Sequence, residues 1–331
     1  MSVQALRDAV TGYRRSQVIY VAAKLGLADM LTETPLTAKE MAARCGADPD
    51  VLLRVARVLA AEGVLRDAGE DRFGLGPLGE HLRTDAPGGV AAWTVSVCEE
   101  QYAAWGHALH TVRTGEPAFE AAFGMGMWSY LAGNEGAATT FAAAMADSVR
   151  ESCALVADRY DLAGVERFVD VGGGSGALTT TLLRRHPGVR ATLVELPETA
   201  GHARRAIDEA GLADRCEVVP GDFMERVPAG GDLYILCRVL ADWPDAAAAR
   251  ILATCRAAMR PGARLLVVGG LARAGDGTAR GLLDLHLLMM LGGRERDEDE
   301  HAALLSAAGF EPRPAVHAED GRTSMIEAVA V

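Results

Sequence analysis

The sequence predicts an α/β protein: a doubly wound parallel sheet of about seven strands in the C-terminal half, preceded by a mainly α-helical N-terminal region. Three observations predict it. From Val165 onward, short apolar strands alternate with helical patterns, the mark of a parallel sheet covered on both faces. One of those strands runs into a glycine-rich turn, Val169-Asp170-Val171-Gly172-Gly173-Gly174-Ser175-Gly176, and restarts as a helix. Residues 1 to about 160 carry apolar residues at helical spacing, with capping signals between them. A length of 331 residues fits about two domains.

The N-terminal elements follow in order. Gln17 to Leu31 has its apolar residues at helical spacing. Thr37 to Cys45 opens with a Thr and carries Glu40 three positions on, which predicts a capping box. Asp48 to Glu62 predicts the next helix, with Val51, Leu52, Val55 and Leu59 on one face. Gly63-Val64-Leu65 and Phe73-Gly74-Leu75 then predict a short two-stranded wing, so the set reads as a winged helix. Such a module either binds DNA or serves dimerisation and substrate covering. Asp48, Asp50, Arg54, Arg57 and Glu62 leave the second helix net negative, whereas a recognition helix should be basic. Residues Ala91 to Met145 are rich in Trp, Met and Gly, which predicts helices packed over a pocket.

In the C-terminal half the expected strands are Arg167–Val171, Ala191–Glu195, Cys216–Val219, Leu233–Leu236 and Arg264–Val268. The intervening helices include Leu178–Arg185, Thr199–Ala210 and Ala246–Met259. Phe310–His317 and Thr323–Val329 predict an antiparallel hairpin at the sheet edge. The expected division is therefore residues 1–90, a helical linker and lid at 91–160, and the sheet domain at 161–331.

Composition narrows the function classes. Half of the residues are hydrophobic, enough for a substantial core. The formal charge of −12 argues against nucleic acid as the main partner, because phosphate binding needs clustered cations. The six cysteines are scattered without a C-x-x-C pair, as in a reduced cytoplasmic protein. The N-terminal residues show no apolar signal core, and Leu282 to Leu291 is too short and too charged to span a bilayer. A soluble cytoplasmic protein with no membrane partner is the expectation. His107 and His110, three apart, offer a replacement base or two metal ligands. No third ligand stands at metal spacing, so no metal is expected.

The glycine turn leaves backbone N–H groups free at a helix N-terminus, with no Cβ blocking a ligand. Gly172-x-Gly174-x-x-Ala177 also fits a dinucleotide fingerprint. Glu195 ends the second strand 23 positions after Gly172, where a carboxylate can accept from both ribose hydroxyls. After the third strand, Asp222 can accept from an adenine amine and Phe223 offers the ring an apolar face. Cys237-Arg238 follows the fourth strand. The Asp-Phe pair stands where a dinucleotide enzyme needs room for its second nucleotide, and the sheet lies C-terminal to a large helical region.

These residues together resemble the small-molecule O-methyltransferases that use S-adenosylmethionine. The resemblance covers nearly the whole chain. Its motifs are Asp170 to Gly176, Glu195-Leu196-Pro197, Gly221-Asp222-Phe223, Asp242-Trp243-Pro244-Asp245 and Gly292-Gly293-Arg294-Glu295-Arg296, with Thr114-Gly115 and Phe141–Ala144–Met145 similar to substrate-side helices. The resemblance implies a winged-helix dimerisation domain, a Rossmann-like catalytic domain, a homodimer, and methyl transfer to a hydroxyl of an aromatic or polyketide-like natural product. It places Gly172, Gly174, Glu195, Leu196, Asp222, Phe223, Cys237 and Arg238 on the cofactor. His107, Met125, Trp128, Met145, Asp242 and Met289 are the candidates for the acceptor side.

The resemblance breaks at the catalytic base. Where family members carry His before the Asp-Trp pair, this chain has Ala241; where they carry Glu at the end of the fifth strand, it has Gly269. Of that apparatus only Glu295 remains, and His286, on an acceptor-lining helix, is the other catalytic candidate. Glu295 either orients substrate or pairs with Arg294 or Arg296 at the surface. A positioned base contributes about 3–5 kcal/mol, whereas in-line positioning supplies about 7–11 kcal/mol. Methyl transfer by proximity therefore remains feasible. The same absences fit a rival: an S-adenosylmethionine-binding enzyme of this fold that performs hydroxylation, decarboxylation or pericyclic ring closure instead.

Overall fold

The computed structural model describes residues 2–272, 277–319 and 321–331. The chain divides into two units, Met1–Ala103 with Asn134–Asp147, and Ala104–Gly133 with Ser148–Val331.

In the first unit, α1 (Val3–Thr11) is capped by the Ser2 hydroxyl, which accepts from the Ala5 N–H. α2 (Tyr13–Lys24) stops before Gly26, whose φ of +63° turns the chain into a separate short helix at Leu27–Met30. β1 (Leu36–Thr37) leads into α3 (Ala38–Cys45), which opens at the expected capping box. Thr37 accepts from the Glu40 N–H, and the Glu40 carboxylate accepts from the Thr37 N–H at 2.7 Å. α4 (Pro49–Ala61) is capped by Asp48, which accepts from the Asp50 and Val51 N–H groups. β2 (Leu65–Asp67) and β3 (Arg72–Leu75) form the wing. The small sheet has three strands, β1-β3-β2, where two were expected. β1 is only two residues long, too short to leave an alternation in the sequence. Leu27, Met41, Leu52, Ala56, Leu59, Leu65 and Phe73 fill the core. α1 buries none of its residues, and its apolar face of Val3, Leu6 and Val10 is 67–71 % exposed.

The second unit is built on β4 (Arg167–Val171), β5 (Arg190–Glu195), β6 (Cys216–Pro220), β7 (Leu233–Cys237), β8 (Arg264–Gly269), β9 (Phe310–Pro312), β10 (Val316–His317) and β11 (Ser324–Ala330). The order is β10-β11-β8-β7-β4-β5-β6, with β9 also paired to β11. β6-β5-β4-β7-β8 is parallel, and β11 joins β8 antiparallel. The expected sixth strand, Phe310–His317, is broken in two, giving eight. Pro312 stays within β9 and the Arg313 N–H still donates to the Glu327 carbonyl at 2.8 Å; the break falls at Pro314, which has no N–H, and Ala315, whose N–H turns to Glu298 at 2.8 Å.

α5 (Ala177–Arg185) and α6 (Pro197–Glu209) follow β4 and β5; α7 (Asp245–Ala258), α8 (Thr278–Leu291) and α9 (Glu298–Ala307) follow later strands. Alternation along the strands feeds two cores. Val169, Tyr234, Leu236, Leu265 and Val267 pack with Ile251 and Leu252 of α7 and Leu305 of α9. Phe168, Ile235, Leu266 and Val268 pack with Leu182 and Leu183 of α5 and Ile207 of α6. From β4 the chain winds outward through β5 and β6, then returns to β7 on the other side. The winding reverses between β4 and β7, which opens a crevice at their carboxyl ends.

Candidate active site

The glycine turn hangs on β5. The Gly172 and Gly173 N–H groups both donate to the Val194 carbonyl, at 2.9 and 3.3 Å. A Cβ on Gly173 would lie 2.7 Å from Leu193 Cγ and 2.9 Å from Asp170 Cγ, so no larger residue fits. At Gly174, by contrast, a Cβ would enter open space, and the backbone (φ +55°) is bare to an approaching ligand. Glu195 closes the turn. Its Oε2 accepts from the Gly174 N–H and its Oε1 from the Leu196 N–H, each at 2.8 Å. Its carbonyl accepts from the Gly221 N–H at 2.9 Å, tying in the exit of β6. Gly174, Glu195, Leu196 and Gly221 are thus one network. Burial pushes the Glu195 carboxyl up, and the two N–H donors hold it down. Asp170, fully buried beneath the turn, is pushed up to about 6 by burial, against a 2.6 Å hydrogen bond from the Thr179 hydroxyl.

Asp222 is exposed. Its Oδ1 caps the local turn by accepting from the Met224 N–H at 2.7 Å, which leaves its second oxygen for a ligand. Phe223 is buried beside the glycine turn: a Cβ at Gly172 would meet Phe223 Cε1 at 3.2 Å. The ring meets Trp243 edge-on, with centroids 6.3 Å apart. Cys237 has its thiol pushed far above the ordinary range by burial, so it stays protonated at neutral pH. Arg238 follows with φ +57°, a left-handed conformation costing about 1–2 kcal/mol for a non-glycine residue, and its N–H donates to the Val268 carbonyl at 2.7 Å. Glu195 and Asp222 put acceptors along the glycine edge, which suits a cation with a sugar and an amine. The residues fit S-adenosylmethionine: bare backbone, a carboxylate for two hydroxyls, an acid-aromatic pair for the base.

The next turn, Leu240–Asp242, carries Ala241 where the imidazole is missing. It is clamped from the Gly293–Arg296 loop. The Arg294 N–H donates to the Ala241 carbonyl at 2.9 Å. Arg296, 2 % exposed, donates to the carbonyls of Leu240 and Trp243, both at 2.8 Å, and to Asp245 at 2.9 Å. Gly293 must be glycine, since a Cβ would sit 2.2 Å from the Ala241 carbonyl oxygen. Asp242 itself lies half-buried, its carboxyl pushed up to about 7 by burial, against the pull of Arg238. Sequence reading missed this clamp: a fully buried arginine leaves no signal distinguishing it from the two charged residues before it.

Glu295 does not pair with Arg294 or Arg296 at the surface. It is buried and forms an ion pair with Arg280 at 2.6 Å, while its N–H donates to Asp284 at 2.8 Å. Arg294 turns to Asp245 and Glu300 instead. His286, on α8, is half-buried, and its Nδ1 accepts from the Trp105 indole N–H at 3.1 Å. Indole is donor only, so the neutral ring carries its proton on Nε2 and presents a donor rather than a base. Burial pushes its pKa below the ordinary value. Met289 is buried on the same helix. Trp128 is half-buried in the Met127–Gly133 helix, and Met125 is exposed just before it. His107 and His110 do not share a helix face: His107 lies in the turn before Ala108–Thr114, and both are exposed. Met145 belongs to the first unit. Among the described residues, no His/Cys/Asp/Glu group is arranged to hold a metal, and no helix is long and apolar enough to cross a membrane.

Comparison with known proteins places this geometry. Residues 105–311 match the O-methyltransferase domain and residues 8–85 the O-methyltransferase dimerisation domain. The chain is 40 % identical over 306 residues to the phenazine O-methyltransferase PhzM of Lysobacter antibioticus, covering 92 % of this chain and 90 % of that one. It superposes on the mitomycin 7-O-methyltransferase MmcR with a TM-score of 0.95 at 36 % identity, covering 99 % and 97 % of the two chains. NcsB1, an O-methyltransferase from neocarzinostatin biosynthesis solved with S-adenosyl-L-homocysteine and 1,4-dihydroxy-2-naphthoic acid, matches with a TM-score of 0.88 at 33 % identity, covering 100 % and 99 %. With its Rossmann-like sheet, its dimerisation domain and its glycine-turn crevice, the chain belongs to the O-methyltransferase family.

Proposed function

We propose that this protein transfers a methyl group from S-adenosylmethionine to a hydroxyl on an aromatic or polyketide-like small molecule, without the His base used elsewhere in the family. The observation that carries this reading is the Glu195 carboxylate, held by the Gly174 and Leu196 N–H groups beside a bare glycine turn and the Asp222-Phe223 pair. Bound there, S-adenosylmethionine supplies an electrophilic methyl on a sulfonium that leaves as a neutral thioether. Gly172 and Gly174 admit the ligand. Glu195 and Leu196 hold the sugar end, Asp222 and Phe223 the base, and Cys237 and Arg238 wall the crevice. His286, as an Nε2–H donor, and Met289 shape the acceptor side, with Trp128, Met125 and His107 on the segment before them. Glu295 orients rather than accepts a proton, since Arg280 engages it.

Residues 1–90 serve dimerisation, 91–160 form linker and lid, and 161–331 carry catalysis. The exposed face of α1 suits a second copy of the chain, and the acidic balance suits neither nucleic acid nor an anionic membrane. The test is incubation with methyl-labelled S-adenosylmethionine and small-molecule extracts of the producing cells. Label in a small molecule supports methyl transfer. Intact S-adenosylmethionine beside a transformed substrate supports the non-methylating reading and overturns this one.

A further inference from the structure

We propose that the carboxylate of Asp242 receives the hydroxyl proton of the acceptor, in place of the imidazole missing at Ala241. The inference rests on the methyl-transfer reading above and assigns the group that reading leaves open.

Elimination carries the first part. Most carboxyls lining this edge are committed. Asp170 holds Thr179, Glu195 two backbone N–H groups, Asp245 both Arg294 and Arg296, Glu295 Arg280, and Asp284 the Glu295 N–H. Asp222 spends one oxygen on Met224 and stands exposed where the adenine base is placed. Asp242, among the described residues, accepts no hydrogen bond on either carboxyl oxygen. Position carries the second part. Asp242 directly follows Ala241, on a turn whose carbonyls at Leu240, Ala241 and Trp243 are all gripped by the Gly293–Arg296 loop. A backbone held at three points on both sides of one uncommitted side chain is how a reacting group is kept in place.

The electrostatics agree. The charged groups around this turn are Arg238 from the end of β7, Asp245 from the start of α7, Arg280 and Asp284 from α8, and Arg294, Glu295 and Arg296 from the clamping loop. Apart from Arg238, each is tied into a hydrogen bond or ion pair. Arg238 acts directly on Asp242. Burial raises the carboxyl to about 7, where a general base works best near neutral pH. In the step, the acceptor O–H bond breaks toward a carboxylate oxygen of Asp242 as the oxygen bonds the methyl carbon. The carbon–sulfur electron pair leaves on sulfur, which becomes a neutral thioether. Asp242 then releases the proton to water.

The test uses the full-length protein, wild type and Asp242→Asn, with three readouts. Calorimetry with S-adenosylhomocysteine reports cofactor binding. Turnover against pH uses 1,4-dihydroxy-2-naphthoic acid as the acceptor probe. Infrared difference spectroscopy between the two proteins follows protonation of the Asp242 carboxyl. We expect unchanged S-adenosylhomocysteine affinity, turnover lowered about 10²–10⁴-fold, and loss of an acidic limb near pH 7. The infrared carboxyl band should titrate near 7 and move up in Arg238→Gln. Turnover within threefold of wild type with the limb intact overturns the proposal. So does a carboxyl titrating in the ordinary range near roughly 4. Should the probe not be methylated, or S-adenosylhomocysteine not bind, the methyl-transfer reading fails on its own, and the infrared titration still decides the fate of Asp242.

Discussion

The indole N–H of Trp105 donates to Nδ1 of His286 at 3.1 Å, with the two rings tilted by only 14° across a 6.4 Å centroid separation. The contact joins residues 181 positions apart and decides which nitrogen of a half-buried imidazole carries the proton. Nitrogen-resolved NMR of histidine-labelled protein should find His286 neutral at pH 7, protonated on Nε2 and bare on Nδ1. Burial places its charging below the ordinary histidine value. Trp105→Phe removes the donor and should lower kcat/KM for an acceptor by roughly 3- to 10-fold, the worth of about one hydrogen bond, while S-adenosylhomocysteine affinity stays unchanged. A wild-type ring protonated on Nδ1 would refute the tautomer.

Glu195 should be the most sensitive position on the cofactor edge. Each carboxylate oxygen accepts a backbone N–H, so Glu195→Gln must turn an amide NH₂ against either Gly174 or Leu196. Both Glu195→Gln and Glu195→Ala should weaken S-adenosylhomocysteine about 10- to 100-fold by calorimetry, from about 1.5–3 kcal/mol per charged hydrogen bond lost. An unaltered affinity in Glu195→Gln would place the sugar elsewhere.

Arg296 holds the Asp242 turn from inside the protein. Arg296→Met takes the guanidinium donor from the Leu240 and Trp243 carbonyls and leaves Asp245 only Arg294. Leaving a buried carbonyl without a donor costs about 1–3 kcal/mol, while the exposed Asp245 contact adds little. A lowered thermal midpoint is expected, and turnover should fall more than S-adenosylhomocysteine affinity. Arg296→Lys should not rescue it, because one ammonium cannot reproduce a planar fork with three acceptors.

The stability of the sheet unit should depend on pH through Asp170. Its folded carboxyl, at about 6, lies above the unfolded value of 3.8, so between those pH values the folded state binds the extra proton. Stability therefore falls as pH rises through that window and is level above it. Asp170→Asn, whose amide oxygen can still accept from Thr179, removes this dependence. Chemical denaturation at pH 4.5 and 7.5 (values flanking about 6) should show a smaller difference in Asp170→Asn than in wild type, by on the order of 2 kcal/mol. An equal difference in the two proteins would place the titration elsewhere.

Local chemistry was what the sequence displayed. The capping box at Thr37–Glu40, the alternation of the strands, and the glycine turn followed by Glu195 all depend on residues near one another in sequence, and the structure realises each. What stayed hidden depends on long-range placement. Arg296 reads as a surface charge until its three distant acceptors are known, and Glu295 finds Arg280 rather than its chain neighbours. His107 and His110 looked paired because helical spacing was assumed across a turn. Phe310–His317 was read as one strand because Pro314, which has no N–H to carry the ladder on, was passed over.

The most direct measurement of the central claim is calorimetric titration of the purified protein with S-adenosylmethionine, S-adenosylhomocysteine and NADH in turn. The account predicts saturable binding of the two adenosyl ligands and none of the dinucleotide, whose second nucleotide would need the room that Asp222 and Phe223 occupy. Tight uptake of NADH, with no heat from either adenosyl ligand, would contradict it.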